Sequence, residues 1–127
     1  MPKPLFWIAS SRSDLKAFPV EVRQLMGFAL WQAQIGKKHV DAKPLKGFGG
    51  AGVLEVTDEY DGNAYRSVYT VKFAGAIYVL HAFQKKSKRG SKTPKHDIEL
   101  IKERLETAKE HYEIWLEQNP ANQQGEG

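Results

Sequence analysis

The chain has no cysteine among its 127 residues. That absence excludes disulfides, thiolate metal sites and a cysteine nucleophile, and it fits a reducing compartment. Long apolar runs are also missing: nothing approaches the roughly 20 residues needed to cross a bilayer. The segment Met1 to Ile8 has too short an apolar core for a secretory signal and no small-residue cleavage site after it, so a cytoplasmic chain with no membrane contact is expected. The four histidines, His39, His81, His96 and His111, are far apart, and none has HExxH or related ligand spacing. Neither a metal nor a cofactor is expected. Gly47-Phe48-Gly49-Gly50-Ala51-Gly52 lacks the GKS/T of a phosphate-binding loop, follows no expected strand and precedes a strand, so it reads as a connection. GxSxG is absent as well.

Acidic residues are missing from one place in particular. From Lys85 to Lys95 there are six basic side chains, Lys85, Lys86, Lys88, Arg89, Lys92 and Lys95, and no Asp or Glu. An apolar run, Ala76 to Leu80, leads into this segment, so a buried strand carries the positive charge on a rigid base. Such a base suits a polyanion such as RNA, although a solvated loop would have the same composition. The net charge of +4 understates the asymmetry: residues 1–96 hold sixteen Lys and Arg against seven Asp and Glu, residues 97–127 three against eight. A basic body with an acidic end favours an anionic partner or an acidic protein over a membrane.

The length suits a single domain over residues 1–117, with a polar tail over 118–127 that has too little apolar surface to fold. Hydrophobic periodicity gives the order β-α-α-β-β-β-α, an α+β fold with a small, mainly antiparallel sheet packed against helices. Lys3 to Ala9 reads as a strand. Ser11 and Asp14 make a capping-box-like helix start, and Pro19 opens a second helix with the stripe Val22, Leu25, Met26, Ala29 and Ala33, stopped by Gly36. Residues 37–52 read as loop. Three strands follow, Val53 to Thr57, Tyr65 to Phe73 and Ile77 to Phe83, with turns at Asp61-Gly62 and Gly75. Thr93 reads as an N-cap before Pro94, and Ile98, Ile101, Leu105, Ala108, Tyr112 and Trp115 form the stripe of the last helix.

The candidate site is made of cations. Lys43 and Lys46 lie before the sheet, Arg66 sits within a strand, and Lys85 ends the neighbouring one. An arginine inside a sheet requires either an open face or a partner. Arg66 could therefore face a groove shared with Lys85, or pair with a carboxylate such as Glu55 across the strands.

Lys43-Pro44-Leu45-Lys46-Gly47-Phe48, Tyr65-Arg66-Ser67-Val68-Tyr69, Tyr78 to Ser87 and the helix opening at Thr93-Pro94, taken in series, closely resemble the RelE/ParE toxin superfamily, nearest to its phage-derived, HigB-like branch. The resemblance runs over roughly residues 3–117. It implies a toxin of a type II toxin–antitoxin pair that cleaves mRNA on the ribosome without a metal. The implied partners are mRNA, the ribosome and a small antitoxin, often a helix-turn-helix protein, with which it forms a hetero-oligomer. By motif position Arg66 corresponds to the phosphate-stabilising arginine and Lys85 to the basic residue ending the last strand, and these are the catalytic candidates. Lys43, Lys46, His81, Lys86, Lys88 and Arg89 are the RNA-contacting candidates. Tyr112 lies too deep in its helix to match the C-terminal tyrosine of some RelE-type toxins. Lys92 reads as a loop lysine outside the motif. The general acid and base stay open. The alternatives are a ParE-like gyrase inhibitor or a phage accessory protein that binds nucleic acid without chemistry.

Overall fold

The computed structural model describes residues 1–50, 52–85 and 92–121. The elements run β1 (Leu5–Trp7), α1 (Ser11–Lys16), α2 (Val20–Gln34), β2 (Ala42–Pro44), β3 (Val53–Tyr60), β4 (Asn63–Thr70), β5 (Ile77–Lys85) and α3 (Lys95–Gln118). The five strands form one sheet in the order β1-β5-β4-β3-β2. Three pairings are antiparallel, and β1 lies parallel to β5. The strand β2 falls inside the segment 37–52 that reads as loop from sequence. Three residues give no periodicity, and Ala42–Pro44 becomes a strand only because β3 offers its free edge.

Local chemistry sets the element ends. Asp61 (φ 52°) and Gly62 (φ 81°) both take left-handed backbone between the paired Tyr60 and Asn63, a two-residue turn matched to strand twist. At the end of α2, Gly36 adopts φ 80°, its N–H donates to the Ala33 carbonyl, and the Lys37 N–H donates to the Gln32 carbonyl. That pattern is a Schellman stop, and it needs glycine at the left-handed position. Ser10, rather than Ser11, occupies the N-cap of α1, and its hydroxyl donates to Asp14 Oδ2 at 2.7 Å. Ser11 is buried and donates instead to the Val79 carbonyl.

Alternation along the strands separates two cores. On one face Val22, Met26, Ala29 and Ala33 of α2 pack on Leu54, Val56, Tyr69, Ile77 and Val79. On the other, Ile101, Ala108 and Tyr112 of α3 pack on Val53, Val68, Tyr78 and Leu80. A register shift between Val68 and Tyr69 breaks the alternation on β5. As a result Leu80 and His81, neighbours in sequence, both meet α3: Leu80 joins its core and the His81 ring bonds to Asp97. Such a bulge re-aims side chains next to a site. Among the described residues no helix is long and apolar enough to cross a membrane, and no group of three metal-ligating side chains occurs.

Candidate active site

Directly paired residues of an antiparallel ladder project to the same face. Lys43 opposes Glu55, Glu55 opposes Val68, and Thr57 opposes Arg66, which opposes Phe83. Glu55 and Arg66 therefore emerge two positions apart on the face that carries α3. Near β2 that face is open, and a cleft of about 410 Å³ lies there. Its walls are Lys43, Lys46, Arg66, Lys92, Glu55 and Thr93, with Pro44, Leu45 and Ile98 as apolar lining.

The centre of the cleft is a ring of three hydrogen bonds. Arg66 Nη1 donates to Glu55 Oε1 at 3.1 Å and to Thr93 Oγ1 at 3.2 Å. Thr93 Oγ1 donates to Glu55 Oε2 at 2.6 Å. The Arg66 side chain is 6% exposed and that of Glu55 13%. This is an ion pair lining the cleft, with the carboxylate more exposed than the cation. Arg66 thus pairs with Glu55, one of its two sequence readings, and lines the cleft; Lys85, expected to share a groove with it, is not among the lining residues.

Among the sequence candidates, Lys43, Lys46 and Arg66 share the cleft. Lys85 emerges from the same face opposite Ala64, and its ammonium donates to the Lys92 carbonyl at 2.5 Å, tying together the two chain ends that flank residues 86–91. Lys86, Lys88 and Arg89 lie outside the described residues. Lys92, read from sequence as a bystander, lines the cleft. Thr93 does not cap α3, whose N-cap position is Pro94. Its hydroxyl instead donates to Glu55 Oε2 and accepts from Arg66 Nη1. Sequence reasoning thus missed Lys92 and the role of Thr93, and held Glu55 only as a partner for Arg66. The charge of Lys92 was the one available signal.

His81 is 6% exposed and stacked on Phe83 with ring centroids 4.6 Å apart. Its Nε2 lies 2.8 Å from Asp97 Oδ1, and Arg104 Nη1 approaches its Nδ1 at 3.3 Å while donating to the Leu80 carbonyl at 2.9 Å. A guanidinium has only donors, so Nδ1 accepts and the proton sits on Nε2, facing the carboxylate. This arrangement fits a neutral ring with its proton on Nε2. Burial pushes its pKa below the usual histidine value; the Asp97 hydrogen bond opposes that shift and the Arg104 charge adds to it.

Unfolded histidine titrates near pH 6.5, so below that pH the unfolded chain binds more protons than the folded one. Stability from this group is fully present above about pH 6.5 and is lost as pH falls through the lower folded pKa. Melting temperatures of wild type and His81→Gln should accordingly converge between pH 7.5 and 5. A difference that stays constant over that range would contradict the neutral ring.

A family model described as "Phage derived protein Gp49-like (DUF891)" matches residues 13–106, well over half of the chain. The chain belongs to the phage-derived Gp49-like family. This is a RelE/toxin-like family, so the superfamily resemblance stands. In the Gp49-like chain the match spans every cleft residue, from Lys43 to Ile98. No curated protein matches. Among solved structures, the free E. coli toxin RelE in an arginine-mutant form overlaps at TM-score 0.49 with 15% identity, covering 65% of this chain and 82% of that one. The toxin–antitoxin complex RelBE2 from Mycobacterium tuberculosis contains a chain that overlaps at TM-score 0.46 with 18% identity, covering 67% of this chain and 100% of that one. The family assignment rests on the match over residues 13–106 and not on these overlaps.

Proposed function

We propose that this protein is the toxin of a type II toxin–antitoxin pair, acting in the cytoplasm as a metal-independent endoribonuclease on ribosome-bound mRNA. The observation that carries the reading is the Arg66–Glu55 pair at the centre of a cleft rimmed by Lys43, Lys46 and Lys92. Three lysines concentrate positive charge where a phosphate backbone would lie. A guanidinium offers fixed, forked donors to the charge that builds on phosphorus during attack by the adjacent 2′-OH.

The attack forms a bond from O2′ to phosphorus and breaks the bond from phosphorus to O5′, giving a 2′,3′-cyclic phosphate and a free 5′-hydroxyl. A base must take the 2′-OH proton. A carboxylate is already ionised at neutral pH, whereas a lysine ammonium keeps its proton up to about 10. We therefore assign the base to Glu55, with Arg66 as the phosphate-stabilising donor. The departing O5′ takes its proton from an ammonium of the cleft rim. Lys85 acts as a charge clamp at the end of β5, and Lys86, Lys88 and Arg89 stay RNA-contacting candidates on the charge of their sequence segment alone. His81, with both ring nitrogens engaged, supports the cleft through the docking of α3.

The antitoxin partner fits a second surface. Phe28, Trp31 and Ile35 are exposed along α2, and no acidic residue occurs between Glu21 and Asp41. An acidic antitoxin segment would complement that face.

Induced expression in a bacterial host without a partner should arrest growth, with transcripts cut at discrete positions within open reading frames. Growth at the uninduced rate with intact transcripts would refute the toxin reading. Arrest with intact mRNA and an induced DNA-damage response would point instead to gyrase inhibition.

A further inference from the structure

The hydroxyl of Thr93 has one proton and two lone pairs, and the geometry settles where each goes. The 2.6 Å contact to Glu55 Oε2 is a short O–H···O⁻ bond, so the proton points at the carboxylate. A lone pair then accepts Arg66 Nη1 at 3.2 Å. Glu55 gives its other oxygen to the same Nη1 at 3.1 Å. The three side chains come from β3, β4 and the segment that opens α3, so the hydroxyl joins the sheet to the last helix at the centre of the cleft. Glu and Arg both have long side chains with many rotamers. The direct bond between them fixes one distance, and the third partner fixes their relative orientation.

We propose that Thr93 is a positioning residue of the ribonuclease: its hydroxyl holds the Glu55 carboxylate and the Arg66 guanidinium in the mutual geometry that in-line attack requires. This rests on the nuclease reading of the cleft. The Thr93 hydroxyl is engaged by Glu55 and Arg66, and it acts through those two groups. Catalytic groups held slightly out of place lose rate much faster than they lose substrate. Thr93 therefore governs the chemical step and leaves binding to the lysines.

Thr93→Val keeps the volume and β-branching and removes only the hydroxyl, while Thr93→Ser keeps the hydroxyl and removes a methyl. Cleavage of ribosome-programmed mRNA under single-turnover conditions should fall about 10- to 100-fold in Thr93→Val, the equivalent of one hydrogen bond to a charged group. Binding of the same mRNA carrying a 2′-deoxynucleotide at the mapped cleavage position should change by no more than about twofold, as uniform substrate binding is untouched. Thr93→Ser should cleave within about threefold of wild type, since its hydroxyl serves both bonds.

A second readout needs no cleavage. The ¹⁵Nη resonances of Arg66 should report hindered rotation about Cζ–Nη1 in wild type and Thr93→Ser, and faster averaging in Thr93→Val. Wild-type cleavage by Thr93→Val, impairment of Thr93→Ser equal to that of Thr93→Val, or identical Arg66 rotation in all three proteins would each overturn the assignment. Wild-type protein that never cleaves RNA would overturn the nuclease reading, and the Arg66 resonances would then decide the clamp by themselves.

Discussion

Arg66→Ala should reduce mRNA cleavage on the order of 10²–10³, the typical effect of removing one preorganised donor from a developing oxyanion. Growth arrest on induced expression should disappear with it. Arg66→Lys should recover little, because an ammonium cannot give two forked bonds to a phosphate while holding Glu55 and Thr93. The substitution also has a stability term that the sequence does not reveal. Deleting the guanidinium strands Glu55, whose side chain is 13% exposed, beside Thr93. Breaking a fully buried pair costs about 3–5 kcal/mol; with the carboxylate partly exposed, roughly 1–3 kcal/mol is expected here. Thermal melts must therefore accompany the kinetics, and Arg66→Gln, which can still donate to Glu55, gives a better-folded comparison. A folded Arg66→Gln protein that cleaves mRNA at the wild-type rate would move the site elsewhere. Lys92→Ala does not serve as an inert control, since Lys92 lines the cleft. Lys109, on the acidic half of α3 and exposed, is the better choice.

Glu55→Gln should lower the cleavage rate by about 10²–10⁴, the usual contribution of a general base, with the amide keeping its acceptor oxygen toward Arg66. RNA binding should move in the opposite direction. The carboxylate is the only acidic group lining the described cleft, and it neutralises the guanidinium that a phosphate would approach. Removing its charge should tighten binding of uncleavable RNA and steepen the salt dependence of binding. Slow cleavage together with tighter binding would separate a base from a structural partner of Arg66. If Glu55→Gln cleaves as fast as wild type, the base must be sought among the rim lysines. If it both cleaves and binds poorly, Glu55 serves mainly to hold Arg66 in place.

Much of this architecture could be read from residue order. The stripes of α2 and α3, the Asp61-Gly62 turn and the Gly36 stop follow from short-range rules: a 3.6-residue period, a two-residue period, and the backbone freedom of glycine. The cations Lys43, Lys46 and Arg66 could be singled out because charge beside or within a strand has few reasons to be there. Boundaries moved by a few residues. β3 runs on to Tyr60 and β5 to Lys85, because ladder partners rather than composition decide where a strand ends.

What the sequence could not determine was the partner of each polar side chain. Thr93 and Glu55 are separated by 38 positions, and no local pattern links them. A Thr-Pro pair before a helical stripe signals a cap, and only the folded sheet shows the Thr93 hydroxyl donating to Glu55 and accepting from Arg66. The register shift at Val68/Tyr69 has no sequence mark either, yet it brings His81 round to Asp97 and Arg104. Composition and order determined a basic α+β chain with an arginine in its sheet. Tertiary structure decided that this arginine shares a cleft with one carboxylate and one hydroxyl, because hydrogen bonds between distant segments form only after the ladders and the two cores have set the distances.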